Sequence, residues 1–166
     1  MVPYKKKSWQ EKLLDKNSLP KILKLEKKFP CYNAVRKMGA EIGDEVVLVN
    51  PSEVVEVMRT IPEGKLMTIV EVCKKIAQQH KVKACCSLTT GIFITTAANA
   101  AEEACKEGKD LNIPYWRTLK SNGFLNEKYP GGVEAHKTLL EKEGHKVMRK
   151  GKRHFVMNYE KSLMKL

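Results

Sequence analysis

Apolar positions in this chain fall mostly at helical spacing, in stretches that open on capping residues and close on glycine or proline. Val54, Val55, Val57, Met58 and Ile61 form one such stripe. Ahead of it Asn50 suits an N-cap, Pro51 sits where a missing N–H costs nothing, and Glu53 closes a capping box. Pro62-Glu63-Gly64 ends that helix in a turn. Thr68 and Glu71 repeat the signature and predict a helix to about Gln79, with Val72, Cys73, Ile76 and Ala77 inward. After a loop over His80–Leu88, Thr89 or Thr90 caps a third helix, about Gly91–Glu107, which Gly108 stops. A fourth spans Val133–Glu143, between the turn Tyr129-Pro130-Gly131-Gly132 and Gly144. Two shorter helices are predicted in the first thirty residues. Ser8 caps Trp9–Lys16, and Leu19-Pro20 starts another carrying Ile22, Leu23, Leu25 and Phe29.

Strand signals are short. Glu45–Val49 is a β-branched run. Trp116–Leu119 and Phe124-Leu125 flank Lys120-Ser121-Asn122-Gly123, where Asn-Gly supplies the positive φ angles of a tight hairpin turn. Val147–Met148 and His154–Met157 predict a last hairpin through Lys150-Gly151-Lys152. Helix, helix, helix, hairpin in that order predicts a mainly α chain with small β hairpins, a winged helix-turn-helix with an N-terminal extension. The expected divisions are a basic extension over 1–50, the winged-helix domain over 51–146, and a basic C-terminal hairpin and tail over 147–166.

At 166 residues, 42% hydrophobic and 30% charged, the chain has the material for one folded core, which excludes a disordered protein. The longest apolar run, Gly91–Ala101, is broken by Thr and Asn and falls far short of the roughly 20 residues of a membrane span. The N-terminus has basic residues without a following apolar export segment, so a cytoplasmic location and no membrane partner are expected. Five cysteines, with no Cys-x-x-Cys, point to reduced thiols. His80 stands near Cys85 and Cys86, but the spacing matches no zinc pattern, and neither metal nor cofactor is expected.

Net charge is +12, and most of the excess sits at the ends. Residues 1–30 carry +6 and 147–166 carry +5, whereas 52–146 carries only +2. Two readings stay open here: lysine-rich ends that keep the protein soluble, or a polyanion footprint made by both ends together.

Against this background several stretches resemble one family in order. Ile61-Pro62-Glu63-Gly64-Lys65-Leu66-Met67-Thr68 looks like the helix-to-helix turn in the DNA-binding domain of methylguanine-DNA methyltransferases. Ile113-Pro114-Tyr115-Trp116-Arg117 resembles that family's active-site Pro-Cys-His-Arg, and Lys120-Ser121-Asn122-Gly123 its wing. Tyr129-Pro130-Gly131-Gly132-Val133 and Leu139–Gly144 resemble its Tyr-Ser-Gly-Gly-Leu turn and Leu-Leu-x-x-Glu-Gly helix. The resemblance covers roughly 52–146.

The family moves an alkyl group from a flipped guanine onto a cysteine thiolate. Here Tyr115 and Trp116 stand at the cysteine and histidine positions, and a phenol with a pKa near 10 is a weak nucleophile at neutral pH. The resemblance therefore implies no enzyme, and is closest in kind to cysteine-less alkyltransferase-like proteins that bind alkylated bases and recruit repair machinery. Double-stranded DNA and repair proteins are the implied partners; DNA against RNA and the oligomeric state stay open. The implied base pocket comprises Tyr115, Trp116, Arg117, Tyr129 and Glu143, with Asn99 at the hinge, and Arg117 is expected to be structural. Lys120, Arg149, Lys150, Lys152 and Arg153 are the implied phosphate contacts.

Departures from the family are plain. Ile69 stands at its helix-start Tyr, and no Lys or Arg occurs from Leu88 to Cys105, where the family has an intercalating Arg. Glu102-Glu103 adds negative charge to the same helix. Thr95–Ala101 is small enough either to approach a groove or to pack closely against another helix. Two other classes therefore remain: a winged-helix module reassigned to a protein or small ligand, and an enzyme using Cys85 or Cys86. Tyr115 and Trp116 also read as ordinary core aromatics.

Overall fold

Each capping box written in the sequence forms. The computed structural model describes residues 6–15 and 19–165. In chain order these make α1 (Trp9–Leu14), β1 (Lys21–Lys24), α2 (Tyr32–Lys37), β2 (Glu45–Leu48), α3 (Pro51–Arg59), β3 (Met67–Thr68) and α4 (Ile69–His80). There follow β4 (Ala84–Cys85), α5 (Ser87–Lys106), β5 (Thr118–Leu119), α6 (Gly132–Lys142), β6 (Val147–Lys150) and β7 (Arg153–Val156). Ser8 with Glu11, Asn50 with Glu53 and Thr68 with Glu71 satisfy the first N–H groups of α1, α3 and α4 reciprocally. Lys16, where the first helix was expected to end, lies outside the described residues.

The chain is mainly helical with small sheets. α5 is the central element and packs against α1, α3 and α4. Ala97, Ala98, Ala100 and Ala104 of α5 are fully buried, so its small residues serve close helix packing. Val54, Met58, Val72, Ile76 and Ile94 share one core with Tyr115 and Tyr129. Leu66, Leu119, Leu125, Leu140 and Val156 form another. The C-terminal hairpin is thus fastened to the body, and backbone bonds from Leu66 N–H to Ser162 O (2.9 Å) and from Met164 N–H to Leu66 O (2.8 Å) tie down the tail.

Four expectations are corrected. The segment after Leu19-Pro20 is strand β1, antiparallel to β2 from Lys21↔Leu48 to Lys24↔Glu45. β2 is held by its buried Val46 and Val47 and needs a partner at its free edge, and opposite charges on Lys24 and Glu45 face each other across the pair. The loop expected after His80 contains β4, parallel to the other edge of β2. α5 begins at Ser87 with Cys86 as N-cap, and no side chain caps it. Thr90 instead lies within the first turn, its hydroxyl bonded back to Cys86 O at 2.8 Å.

The hairpin expected across Lys120–Gly123 is the fourth. Asn122 and Gly123 do take positive φ, 64° and 78°. One local bond, Lys120 N–H to Phe124 O at 2.9 Å, closes the loop, and the flanking residues otherwise pair elsewhere: β5 runs parallel to β3, Phe124 bridges Phe155, and Leu125 N–H bonds His154 O at 2.9 Å. Leu119 and Leu125 are buried in the same core, and two separate strands satisfy their backbones better than one local rung can. The hairpin β6–β7 and helix α6 form as expected, the latter ended by Gly144 at φ 89°.

Candidate nucleic-acid interface

Tyr115, Trp116 and Arg117 form a 3-10 turn, so three consecutive side chains leave in different directions. Tyr115 enters the core, edge-on to Tyr129 at 5.3 Å and to Trp116 at 5.4 Å. Burial pushes its hydroxyl pKa up to about 12, so the phenol stays protonated at neutral pH. Trp116 Nε1 donates to Glu143 Oε1 at 3.0 Å. Arg117 donates through Nε and Nη2 to the same carboxylate at 2.9 and 2.6 Å, and through Nη1 to Ile61 O at 2.8 Å. Burial would raise the pKa of Glu143, but its hydrogen bonds to Arg117 and Trp116 win and hold it below the usual carboxylate range. Arg117 and Glu143 therefore clamp the turn at 61–64 to the end of α6, a structural task that leaves Glu143 no free oxygen for a ligand.

One residue missed in the sequence completes this knot. His136 on α6 is buried; its Nδ1 accepts from Asn126 N–H at 3.2 Å and its Nε2–H donates to Trp116 O at 2.8 Å. Burial pulls its pKa down to about 4. The unfolded chain takes up a proton near pH 6.5 while the folded chain resists it, so this stability is complete above about pH 6.5 and is lost as pH falls toward 4. The loss expected is about 3 kcal/mol. Burial lowers His145 as well and adds to the same window. Urea unfolding between pH 7.5 and 4 checks this, with His136→Gln expected to flatten the profile.

On the other side of Tyr129 a cleft of about 500 Å³ opens between the first half of α5, the loop after β5 and the start of β7. Tyr129 is its floor, with the hydroxyl donating to Thr118 O at 2.8 Å. Lys120, Lys128 and Arg153 stand around it, and Ile69 and Gly91 line its wall. Pro30, Cys31 and Ala34 of the N-terminal segment close one side. Ser87 and Leu88 bring the uncapped N-terminus of α5 to the edge, so the positive end of a 20-residue helix faces the opening. Leu88 and Ile92 remain 52% and 57% exposed beside it.

The first half of α5 has no Lys or Arg, and the cations beside it come from its neighbours. Arg153 is stacked over the Phe124 ring at 3.6 Å, and Lys120 pairs with Glu127 at 3.1 Å. The acids Glu102 and Glu103 sit a further 15 or 16 residues along α5, about 24 Å from its start. Glu103 is occupied there, accepting from the N–H groups of Trp9 and Gln10 at the start of α1.

The sequence-derived residues therefore separate into four places. Tyr129, Lys120 and Arg153 meet at the cleft. Tyr115, Trp116 and Arg117 line a different cavity of about 360 Å³, with Glu102 and Asp110. Asn99 lines neither and donates to Thr95 O at 2.9 Å within α5. Arg149, Lys150 and Lys152 are exposed on the β6–β7 hairpin, where Arg149 Nε donates to Gly151 O at 2.7 Å. Lys128 also reaches the cleft, and the only sequence signal for it is its place directly before the Tyr129-Pro130-Gly131-Gly132 turn. Cys85 is fully buried, and hydrogen bonding with Cys73 followed by burial pushes its thiol far up, so it is no nucleophile.

The basic cleft and the uncapped helix N-terminus beside it together offer a surface suited to anions. The model of the 6-O-methylguanine DNA methyltransferase DNA-binding domain matches residues 51–145, and the chain belongs to that family. No curated protein matches the sequence significantly. Among solved structures, S. pombe Atl1 in complex with damaged DNA containing O6-carboxymethylguanine is similar at 17% identity and a TM-score of 0.50. S. pombe ATL in complex with DNA is similar at 17% identity and 0.51. Each likeness covers 70% of this chain and 94% of the other, and shows a shared fold.

Proposed function

We propose that this protein binds double-stranded DNA without catalysis, in the manner of alkyltransferase-like proteins, and senses alkylated guanine for repair. The observation that carries the reading is the cleft at the N-terminus of α5, ringed by Lys120, Lys128 and Arg153, in a chain of this family. The fold is then a winged helix-turn-helix, with α4 and α5 as the motif helices and the loop over Lys120–Gly123 as the wing. Residues 51–146 form the DNA-binding unit, to which 1–50 and 147–166 are additions.

Tyr115 and Trp116 take the catalytic positions, and neither supports alkyl transfer: one is a buried neutral phenol and the other is bonded to Glu143. Arg153 at the cleft brings the basic C-terminal segment to the wing's side, which favours DNA over a module reassigned to a protein or small ligand. A lesion base turned out of the duplex would enter the cleft over Tyr129, where Asn122 and Asn126 offer polar edges.

The test is a fluorescence-anisotropy titration with two matched duplexes, one carrying a single O6-alkylguanine, at low and moderate salt. Tighter binding to the lesion and affinity that falls steeply with salt are expected. Equal affinity for the two duplexes would remove the lesion-sensing part, and salt-independent binding would remove the phosphate contacts.

A further inference from the structure

The β6–β7 hairpin lies beyond residues 51–145 and carries a second opening that the duplex reading leaves unused. This groove of about 580 Å³ runs between the hairpin, Asn122 and the segment after Val156. Three partly buried aromatic rings line it: Phe124, Phe155 and Tyr159. Phe124 and Phe155 meet edge-to-face at 6.2 Å across a backbone bridge, which fixes both rings. Tyr159 is fixed as well. A Cβ on Gly123 would fall 2.4 Å from that ring, so only glycine allows the ring to lie on the loop. Met148 and Met157, 38% and 44% exposed, leave the apolar surface open to solvent.

The charge around these rings says what they face. From Lys146 to His154 the chain has five Lys and Arg and no acid. Lys150 lines the groove itself, and Glu160 is the one carboxylate among its described lining residues. The groove also joins the cleft. Asn122 lines both, and Arg153, which lines the cleft, stacks on Phe124, which lines the groove. Immobilised rings inside a cationic frame are the elements of a platform for unpaired bases, because every base has a face to stack and a phosphate to neutralise. An apolar peptide would use the rings and methionines but gain nothing from the cations.

We propose that this groove holds an unpaired nucleobase of the DNA strand that leaves the cleft, stacked on Phe155 and Tyr159, with Lys150 at its phosphate. The position of the strand rests on the duplex reading above; the stacking platform does not.

The experiment uses the full chain with three probes: a blunt duplex, the same duplex with a short single-stranded overhang carrying 2-aminopurine, and the overhang oligonucleotide alone. The wild-type protein is expected to bind the overhang duplex about tenfold tighter than the blunt one and to quench the 2-aminopurine. Phe155→Leu and Tyr159→Leu keep apolar volume without the ring. Each variant that retains the wild-type melting transition is expected to lose both the preference and the quenching, with blunt-duplex affinity within about twofold of wild type. Equal wild-type affinity for the two duplexes, or quenching that survives in both variants, overturns the proposal. If the blunt duplex does not bind but the free oligonucleotide is quenched by wild type and not by the variants, the duplex reading falls and the stacking site stands.

Discussion

Reversing the three cations at the cleft together, Lys120→Glu, Lys128→Glu and Arg153→Glu, is expected to lower duplex affinity by about 100-fold at low salt and to flatten its salt dependence. The reasoning is electrostatic. α5 carries no Lys or Arg from Leu88 to Cys105, so an approach to phosphate would depend on charge borrowed from the adjoining loop and from β7. Each cation that neutralises a phosphate releases about one counterion, so removing three reduces the slope of log K against log salt by about 3. The control reverses Lys37, Lys74 and Lys142, exposed residues that do not line the cleft. Both triple variants change the formal charge from +12 to +6, so a loss caused by net charge alone is the same in both, whereas a loss caused by this cleft belongs to the first. Anisotropy titrations at three salt concentrations separate the two.

The second large effect is on stability. Glu143→Ala is expected to destabilise the fold by about 3–5 kcal/mol, because among the described residues it leaves the buried Arg117 guanidinium only Ile61 O as a hydrogen-bond acceptor. The Arg117 and Glu143 side chains are 16% and 8% exposed, so water replaces the lost carboxylate poorly. Gly64 N–H and Trp116 Nε1 lose their acceptor in the same step, and three segments distant in sequence come apart. Arg117→Met in the Glu143→Ala background is expected to recover part of the loss by removing the orphaned charge. Urea unfolding at pH 7 of the single and double variants measures it. Glu143→Gln, which keeps the shape and an acceptor for Trp116, is expected to cost less than Glu143→Ala.

What the sequence made legible was local. Ser8, Asn50 and Thr68 announce α1, α3 and α4 because the capping partner lies three residues on, within reach of any reader of the chain. Asn122-Gly123 announces its positive φ angles for the same reason. Pairing was not local, and there the reading failed. β4 is two residues long, too short for any periodicity, and exists because β2 offers it an edge. The strands on either side of Asn122-Gly123 were assigned to each other, while in the fold they are claimed by β3 and β7, far away in sequence.

The candidate site divides in the same way. The resemblance put Trp116, Arg117 and Glu143 together, and Trp116 and Arg117 both donate to Glu143. It could not show that Arg117 and Trp116 occupy the carboxylate, or that Tyr129 faces a separate cleft from Arg117. His136 gave no signal because its partners, Asn126 N–H and Trp116 O, are backbone groups that every residue possesses. Glu103 read as unfavourable charge on a DNA-facing helix, and the fold turns it to the first N–H groups of α1.

Whether duplex DNA meets this protein at the N-terminus of α5 is read by mapping amide chemical-shift changes in the labelled protein on addition of a blunt duplex. Shifts are expected to concentrate at Ser87–Thr95, Lys120–Tyr129 and Arg153, with α2's outer face and α6 quiet. Shifts concentrated instead around the Arg59, Glu102 and Asp110 cavity, with the α5 N-terminus unmoved, would contradict it.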